Sequence, residues 1–176
     1  MARVTLIDEN ATPDIAALVA KIRGARGGQL HVFYRALLHT PGLASAWFDF
    51  NNAVRFQTGL DDRARELVIM RVAALTSCDY VWKVHERQYA APAGVTPQLV
   101  AALRDWRQSG LFGPEESALL AYVDAMTRDV TVAEDVFRTL RQHYSEQEVV
   151  EITVMIAAYN MHTRVLKALD IQPDRA

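Results

Sequence analysis

One cysteine, Cys78, is all the thiol that the 176-residue sequence contains. A lone cysteine excludes an intrachain disulfide, a C-x-x-C redox pair and a multi-cysteine zinc site. Charge of one sign is missing as well: 19 Lys and Arg stand against 21 Asp and Glu, a net of −2, with the signs interspersed along the chain. That leaves no basic stripe for nucleic acid and no polybasic tract for anionic lipid, so neither partner is expected. No apolar run approaches the roughly 18 residues that cross a bilayer. The N-terminus also reaches Asp8 and Glu9 without an apolar signal region. These absences make a soluble, cytoplasmic protein the expectation. With no low-complexity linker and no fixed-period repeat, one domain over residues 1–176 is expected.

What the sequence has is apolar residues, 51% of the chain, at helical spacing almost throughout, whereas period-2 alternation is nearly absent. The fold class expected is therefore all-α. The punctuation supports it. Pro13-Asp14 opens a helix to about Arg23, a segment from Leu30 to Leu38 stops before Pro41-Gly42, and Leu43 to Phe56 follows. Asp61 or Asp62 caps a strongly apolar helix ending at Leu75, and Thr76-Ser77 offers two caps for a helix from Cys78 to Pro92. Thr96-Pro97 opens a helix over 98–106, Glu115 to Arg128 is helical, and Thr131 caps a short helix to about Tyr144. Ser145-Glu146-Gln147-Glu148 is a capping box that starts the last and longest helix, ending near Asp170. About eight helices result.

The stretch that can carry chemistry runs from Glu66 to His85. Cys78, Val81, Trp82 and His85 stand at i, i+3, i+4 and i+7, so on one helix Cys78 and His85 share a face two turns, about 10 Å, apart. A bridging group must join them, and Glu66 on the preceding helix is the nearest acidic candidate. With Thr76 or Ser77 as cap, Cys78 would occupy the first turn, where free amides and the helix dipole lower a thiol pKa. His85 would then take the proton and Glu66 would orient the imidazole. The same residues also read as packing: a lone apolar-helix cysteine is usually buried, Glu66 has Arg63, Arg65 and Arg71 nearby for surface ion pairs, and His85 can bond a carbonyl. His31, His39, His143 and His162 are scattered without H-x-x-x-H or H-E-x-x-H spacing, so no metal is assigned. Tyr80 and Trp82 read as core or subunit interface.

Arg65-Glu66-Leu67-Val68-Ile69-Met70-Arg71-Val72-Ala73, then Cys78-Asp79-Tyr80-Val81-Trp82-Lys83-Val84-His85, then Ala93-Gly94-Val95-Thr96 closely resembles the carboxymuconolactone decarboxylase-like family, which includes the alkylhydroperoxidase D proteins. Tyr159-Asn160-Met161-His162-Thr163-Arg164 resembles the closing helix of that family, so the likeness runs from about 40 to 170 and leaves 1–40 as an N-terminal helical extension. The resemblance implies a helical bundle of the alkylhydroperoxidase D type, a homo-oligomer (dimer, trimer or hexamer), a small-molecule substrate and no bound cofactor. In the alkylhydroperoxidase branch a Glu precedes C-x-x-C-x-x-x-H. The first Cys resolves, the second attacks peroxide, and Glu and His pass protons. Those positions fall on Glu66, Cys78 and His85, but the second Cys falls on Val81. Without it the two-thiol cycle is closed, and a sulfenic acid on Cys78 reduced by an external thiol is the peroxidase-like, antioxidant route left open.

The decarboxylase branch implies a different use of the same residues: His85 and Glu66 as an acid/base pair, with a cationic clamp for a substrate carboxylate from Arg71, Arg87 or Arg164. A third expectation is a non-catalytic helical scaffold whose site has decayed at Val81. The leading expectation is the first, an oxidoreductase site of Glu66, Cys78 and His85 around a reactive thiol. Decarboxylase or lactone processing is the alternative.

Overall fold

The computed structural model describes residues 2–173, and their regular structure is helical throughout. α1 spans Pro13–Gly24 and α2 Val32–Leu37, followed by α3 (Pro41–Phe56), α4 (Asp62–Leu75) and α5 (Asp79–Gln88). α6 (Pro97–Ala102), a 3-10 turn (Leu103–Asp105) and α7 (Trp106–Ser109) come next, then α8 (Pro114–Asp124), a π turn (Ala125–Asp129), α9 (Glu134–Arg141) and α10 (Glu146–Ala168).

The local signals explain most of the boundaries. Thr12, Asp61, Thr96 and Ser145 each cap a helix by accepting a backbone N–H, from Ile15, Ala64, Leu99 and Glu148 respectively. Ser145 and Glu148 complete the reciprocal box, the Ser145 amide donating back to Glu148 Oε2 at 2.7 Å. Four expectations differ, the first being the helix expected from Cys78 to Pro92, which spans only Asp79–Gln88. The single helix expected over 98–106 divides where Asp105 leaves helical geometry (φ −133°). The helix expected to reach Arg128 widens into the π turn, which Val130 closes in the left-handed region at φ 62°. α9 starts after Ala133, two residues beyond the expected Thr131 cap.

α4 is the axle of the bundle, with α5, α8 and α10 packed directly on it. Leu67, Val68, Ile69, Met70 and Val72 are all sealed from solvent, so this helix is apolar on every side, as a helix surrounded by others must be. Two of its charged residues, Glu66 and Arg71, are buried. Five positions separate them, about 140° around the helix, and they face different neighbours. Arg71 meets Asp124 of α8 in a two-pronged ion pair, Nε to Oδ1 at 2.6 Å and Nη2 to Oδ2 at 3.0 Å. Glu66 faces α5. Among the described residues no helix is long and apolar enough to cross a membrane.

Candidate active site

The turn between α4 and α5 sets the geometry of the site. Ser77 adopts the left-handed conformation (φ 49°), and Lys167 of α10 donates its ammonium to the carbonyls of Thr76 (2.8 Å) and Ser77 (3.2 Å), closing the end of α4. The chain re-enters helix at Asp79, so Cys78 is the flanking residue of α5 and lies outside its first turn (ψ 89°). From there α5 runs back along α4 and brings His85 against Glu66. His85 Nδ1–H donates to Glu66 Oε2 at 2.6 Å, and both side chains are buried. The other carboxylate oxygen, Oε1, makes no hydrogen bond, and the Arg65 guanidinium Nε stands 3.7 Å from it.

Burial pushes the His85 pKa below its ordinary value. The Glu66 hydrogen bond and charge pull the other way, and the Arg55 and Arg65 charges reinforce burial. The net direction is down, so the ring is neutral near pH 7. With Nδ1–H committed to Glu66, its proton-accepting nitrogen is Nε2. This is a carboxylate-oriented imidazole, the arrangement of a general base.

His85 lines an inner cavity of about 60 Å³. α5 contributes Tyr80, Val81 and Val84 to the wall, α3 contributes Asn51 and Arg55, and α10 contributes Tyr159 and His162. Tyr89, just past α5, stacks on His85 with ring centroids 5.0 Å apart, and Tyr159 meets His85 edge-on at 5.7 Å. Burial raises the Tyr159 hydroxyl to about 12, so it stays protonated.

Arg55 was not singled out from the sequence. It is only 7% exposed, its guanidinium lies between the rings of Phe56 (4.8 Å) and Tyr89 (4.4 Å), and its Nε and Nη2 have no hydrogen-bond partner. Burial acts to lower its pKa, but Tyr159, Tyr89 and Glu66 outweigh burial and hold the group above the ordinary arginine value. It is a permanent cation. Each buried donor left unpaired costs on the order of 1–3 kcal/mol. One signal was present in the sequence: Trp47, Asn51 and Arg55 stand at i, i+4 and i+8, which places two polar residues on the buried stripe of an amphipathic helix.

His162 was also unassigned. It packs against Phe33 (4.4 Å) and near Trp47 and Tyr159 (5.9 Å each), and its Nδ1 has no partner. Burial, reinforced by the His85 and Arg55 charges, lowers its pKa to about 3. The folded state therefore keeps this ring neutral while the unfolded chain protonates it below about 6.5. Its contribution to stability is complete above pH 6.5 and is lost as pH falls toward 3, by up to about 1.4 kcal/mol per pH unit. Urea unfolding from pH 6.5 to 4 is expected to show a shallower decline in His162→Phe than in wild type. Parallel declines would count against a neutral buried His162.

Cys78 does not join the pair. Its side chain is 3% exposed and borders a different depression, of about 180 Å³, beside Lys167, Leu166 and Ile171. The expected drop in thiol pKa is reversed: burial raises it, only partly opposed by the amides of Val81 and Tyr80 and the charge of Lys167. Val81, where the alkylhydroperoxidase pattern has its second cysteine, is the residue on the inner cavity wall. Of the clamp candidates, Arg71 is taken up by Asp124, Arg164 donates to Asn160, and Arg87 lines an outer cleft next to the inner cavity. Trp82 is buried beneath Arg104, 4.3 Å from its ring. Among the described residues no group of three or more His, Cys, Asp or Glu side chains is placed to hold a metal ion.

Residues 41–125, from the start of α3 through α5 to the beginning of the π turn, match the carboxymuconolactone decarboxylase family. Over this stretch the chain is similar to that family. The uncharacterized protein YnjA of Escherichia coli is 33% identical over 118 residues, 66% of this chain and 64% of YnjA. The match thus spans somewhat less than two thirds of that relative. Among solved structures, a protein of unknown function from Agrobacterium tumefaciens, whose name proposes antioxidant defence (AhpD), is 29% identical. It superimposes with a TM-score of 0.74 over 78% of this chain and 94% of its own. An uncharacterized peroxidase-related protein from Silicibacter sp. shares the fold at 20% identity, with a TM-score of 0.85 over 98% of this chain and 92% of its own. The carboxymuconolactone decarboxylase segment contains Arg55, Glu66, Cys78 and His85, whereas Tyr159 and His162 lie beyond it.

Proposed function

We propose that this protein is a general acid–base enzyme of the carboxymuconolactone decarboxylase family, acting on a small carbonyl compound of the lactone or β-keto acid class. The observation that carries this reading is the buried Glu66–His85 hydrogen bond on the wall of a cavity that Cys78 does not line. Neutral Nε2 of His85 takes a proton from carbon next to the carbonyl, and Glu66 holds the imidazolium so formed. The same nitrogen returns the proton where the carbanion settles. Where the substrate carries a carboxylate β to the carbonyl, loss of CO₂ leaves the equivalent carbanion, and an imidazolium protonated from solvent supplies the proton that completes the product.

The alternative is one-cysteine peroxide reduction. Its support is the likeness to the alkylhydroperoxidase pattern, in which Cys78 takes the place of a cysteine, although burial raises the thiol pKa and the amides of Val81 and Tyr80 and the charge of Lys167 oppose it only in part. There the Cys78 thiolate would attack the O–O bond to give a sulfenic acid and an alcohol. One external thiol would release water and form a mixed disulfide, and a second would regenerate the cysteine. The two readings part on one variant. Across a panel of carboxylactones and β-keto acids, Cys78→Ser is expected to retain turnover within about twofold of wild type and to leave hydroperoxide consumption unchanged. Loss of lactone or keto acid turnover in Cys78→Ser would overturn the acid–base reading in favour of the thiol. As part of the same proposal the chain self-associates, as its resemblance to the family implies. The exposed apolar side chains Leu43, Phe50, Val150, Val154 and Met161 supply surface for that contact.

A further inference from the structure

Arg55 presents a problem that the acid–base pair does not solve. A guanidinium carries five N–H donors and no acceptor, and here Nε and Nη2 are buried without a hydrogen-bond partner while Arg55 lines the inner cavity. The rings of Phe56 and Tyr89 hold the group in place. Apart from the side-chain hydrogen bond with Tyr89, Nε and Nη2 stay unpaired, and that fork matches a carboxylate. No Asp or Glu lines the inner cavity among the described residues. Glu66 directs one oxygen to His85 and buries the other.

The ground outside the cavity has the same sign. An outer cleft of about 430 Å³ shares His31, Tyr80 and Val84 with the inner cavity and is bordered by Arg23, Lys83 and Arg87. Arg23 is paired with Glu9 at 2.6 Å. Lys83 and Arg87 stand exposed on α5, at i and i+4 and so on one face. Among the described residues no carboxylate lines this cleft either. A recess whose charged lining among the described residues is all cationic, leading to a buried guanidinium with unpaired donors, raises the local concentration of anions.

We propose that the inner cavity is an anion subsite in which Arg55 binds the carboxylate of a small organic acid, reached through the cleft bordered by Lys83 and Arg87. About 60 Å³ is room for a small carboxylate group, since a water needs roughly 10–15 Å³ of such space. The charged end of the substrate therefore sits inside, and the rest extends toward the open side past His31. This inference rests on the acid–base reading for the chemistry at His85, but its claim concerns binding, and binding is measured separately.

The experiment is a ligand-observed NMR titration of the full chain with acetate and with acetamide, its neutral near-isostere. Acetate is expected to bind wild type at least about tenfold more tightly than acetamide. Arg55→Met is expected to remove that preference, and Arg55→Lys to restore it only in part, since an ammonium keeps the charge and loses the fork. Circular dichroism of each variant checks that it is folded. If Arg55→Met does not fold, the wild-type preference and Lys83→Gln/Arg87→Gln decide the matter. That surface pair is expected to weaken acetate binding about two- to fivefold at low salt, with the difference vanishing at high salt. Equal binding of acetate and acetamide by wild type would mean that water alone satisfies Arg55, and would overturn the proposal. Acetate affinity unchanged in a folded Arg55→Met would do the same. His85→Gln separates the two claims: retained acetate binding with lost turnover supports both, whereas retained turnover defeats the acid–base reading and leaves the subsite standing.

Discussion

His85→Gln is expected to lower turnover about 100- to 10,000-fold, the range that a positioned proton-transfer group supplies. Glutamine is the instructive replacement because its amide N–H can still donate to Glu66, so that the buried carboxylate keeps a partner and the fold is spared. Alanine would instead leave a fully buried Glu66 without its 2.6 Å hydrogen bond and would confound loss of stability with loss of chemistry. A companion variant, Glu66→Gln, carries a signature that a purely structural role would not produce. The carboxylate is what holds the His85 pKa up against burial, so removing its charge moves the acid limb of kcat/KM to lower pH and lowers the plateau. In wild type that limb lies below 6.5, because the base must be deprotonated and burial favours the neutral ring. A wild-type limb centred well above 6.5, or a Glu66→Gln profile that does not move, would be inconsistent with a carboxylate-oriented base.

Asp124→Ala is expected to cost about 3–5 kcal/mol of stability, the usual penalty for removing one partner of a buried ion pair. Asp124 accepts from Arg71 twice and from the Trp106 indole N–H at 3.1 Å. Arg71 in turn donates from Nη1 to the carbonyls of Leu103 (2.6 Å) and Arg104 (3.0 Å). Five hydrogen bonds thus tie α4, α7, α8 and the 3-10 turn together around one carboxylate and one guanidinium. Without the carboxylate, a guanidinium 3% exposed to solvent keeps its charge and loses its counterion. Arg71→Met combined with Asp124→Leu should recover much of the loss, because the penalty lies in the uncompensated charge. Urea unfolding measures both, and a loss below about 1 kcal/mol in Asp124→Ala would show that water reaches the pair.

How much of this was legible in the sequence depends on how far apart the cooperating residues lie. Asp61, Thr96 and Ser145 act on amides three positions away, and their caps read correctly. Glu66 and His85 are 19 positions apart but belong to two helices joined by a short turn, so the motif brought them together on paper as the fold does in space. Cys78 failed the same reading for a local reason. Counting seven positions to His85 assumes helix at both ends, and Cys78 lies just outside α5, after a left-handed Ser77. Its side chain turns toward Leu166 and Ile171 instead of the cavity. Arg55, Tyr159 and His162 come from α3 and α10, and only the packing of those helices together brings them to the wall opposite His85. Nothing within a few residues of any of them announces that meeting.

The two buried charges of α4 divide the molecule's tolerance for change. Arg71 and the bonds around Asp124 draw on one side of the helix; Glu66, His85 and the cavity draw on the other. Substitutions at Val81 or Val84 can reshape the pocket without touching the ties that hold α4 to α8. A scaffold so divided can exchange one substrate for another while its melting behaviour stays put, which makes the cavity wall the natural place to begin redesigning this protein.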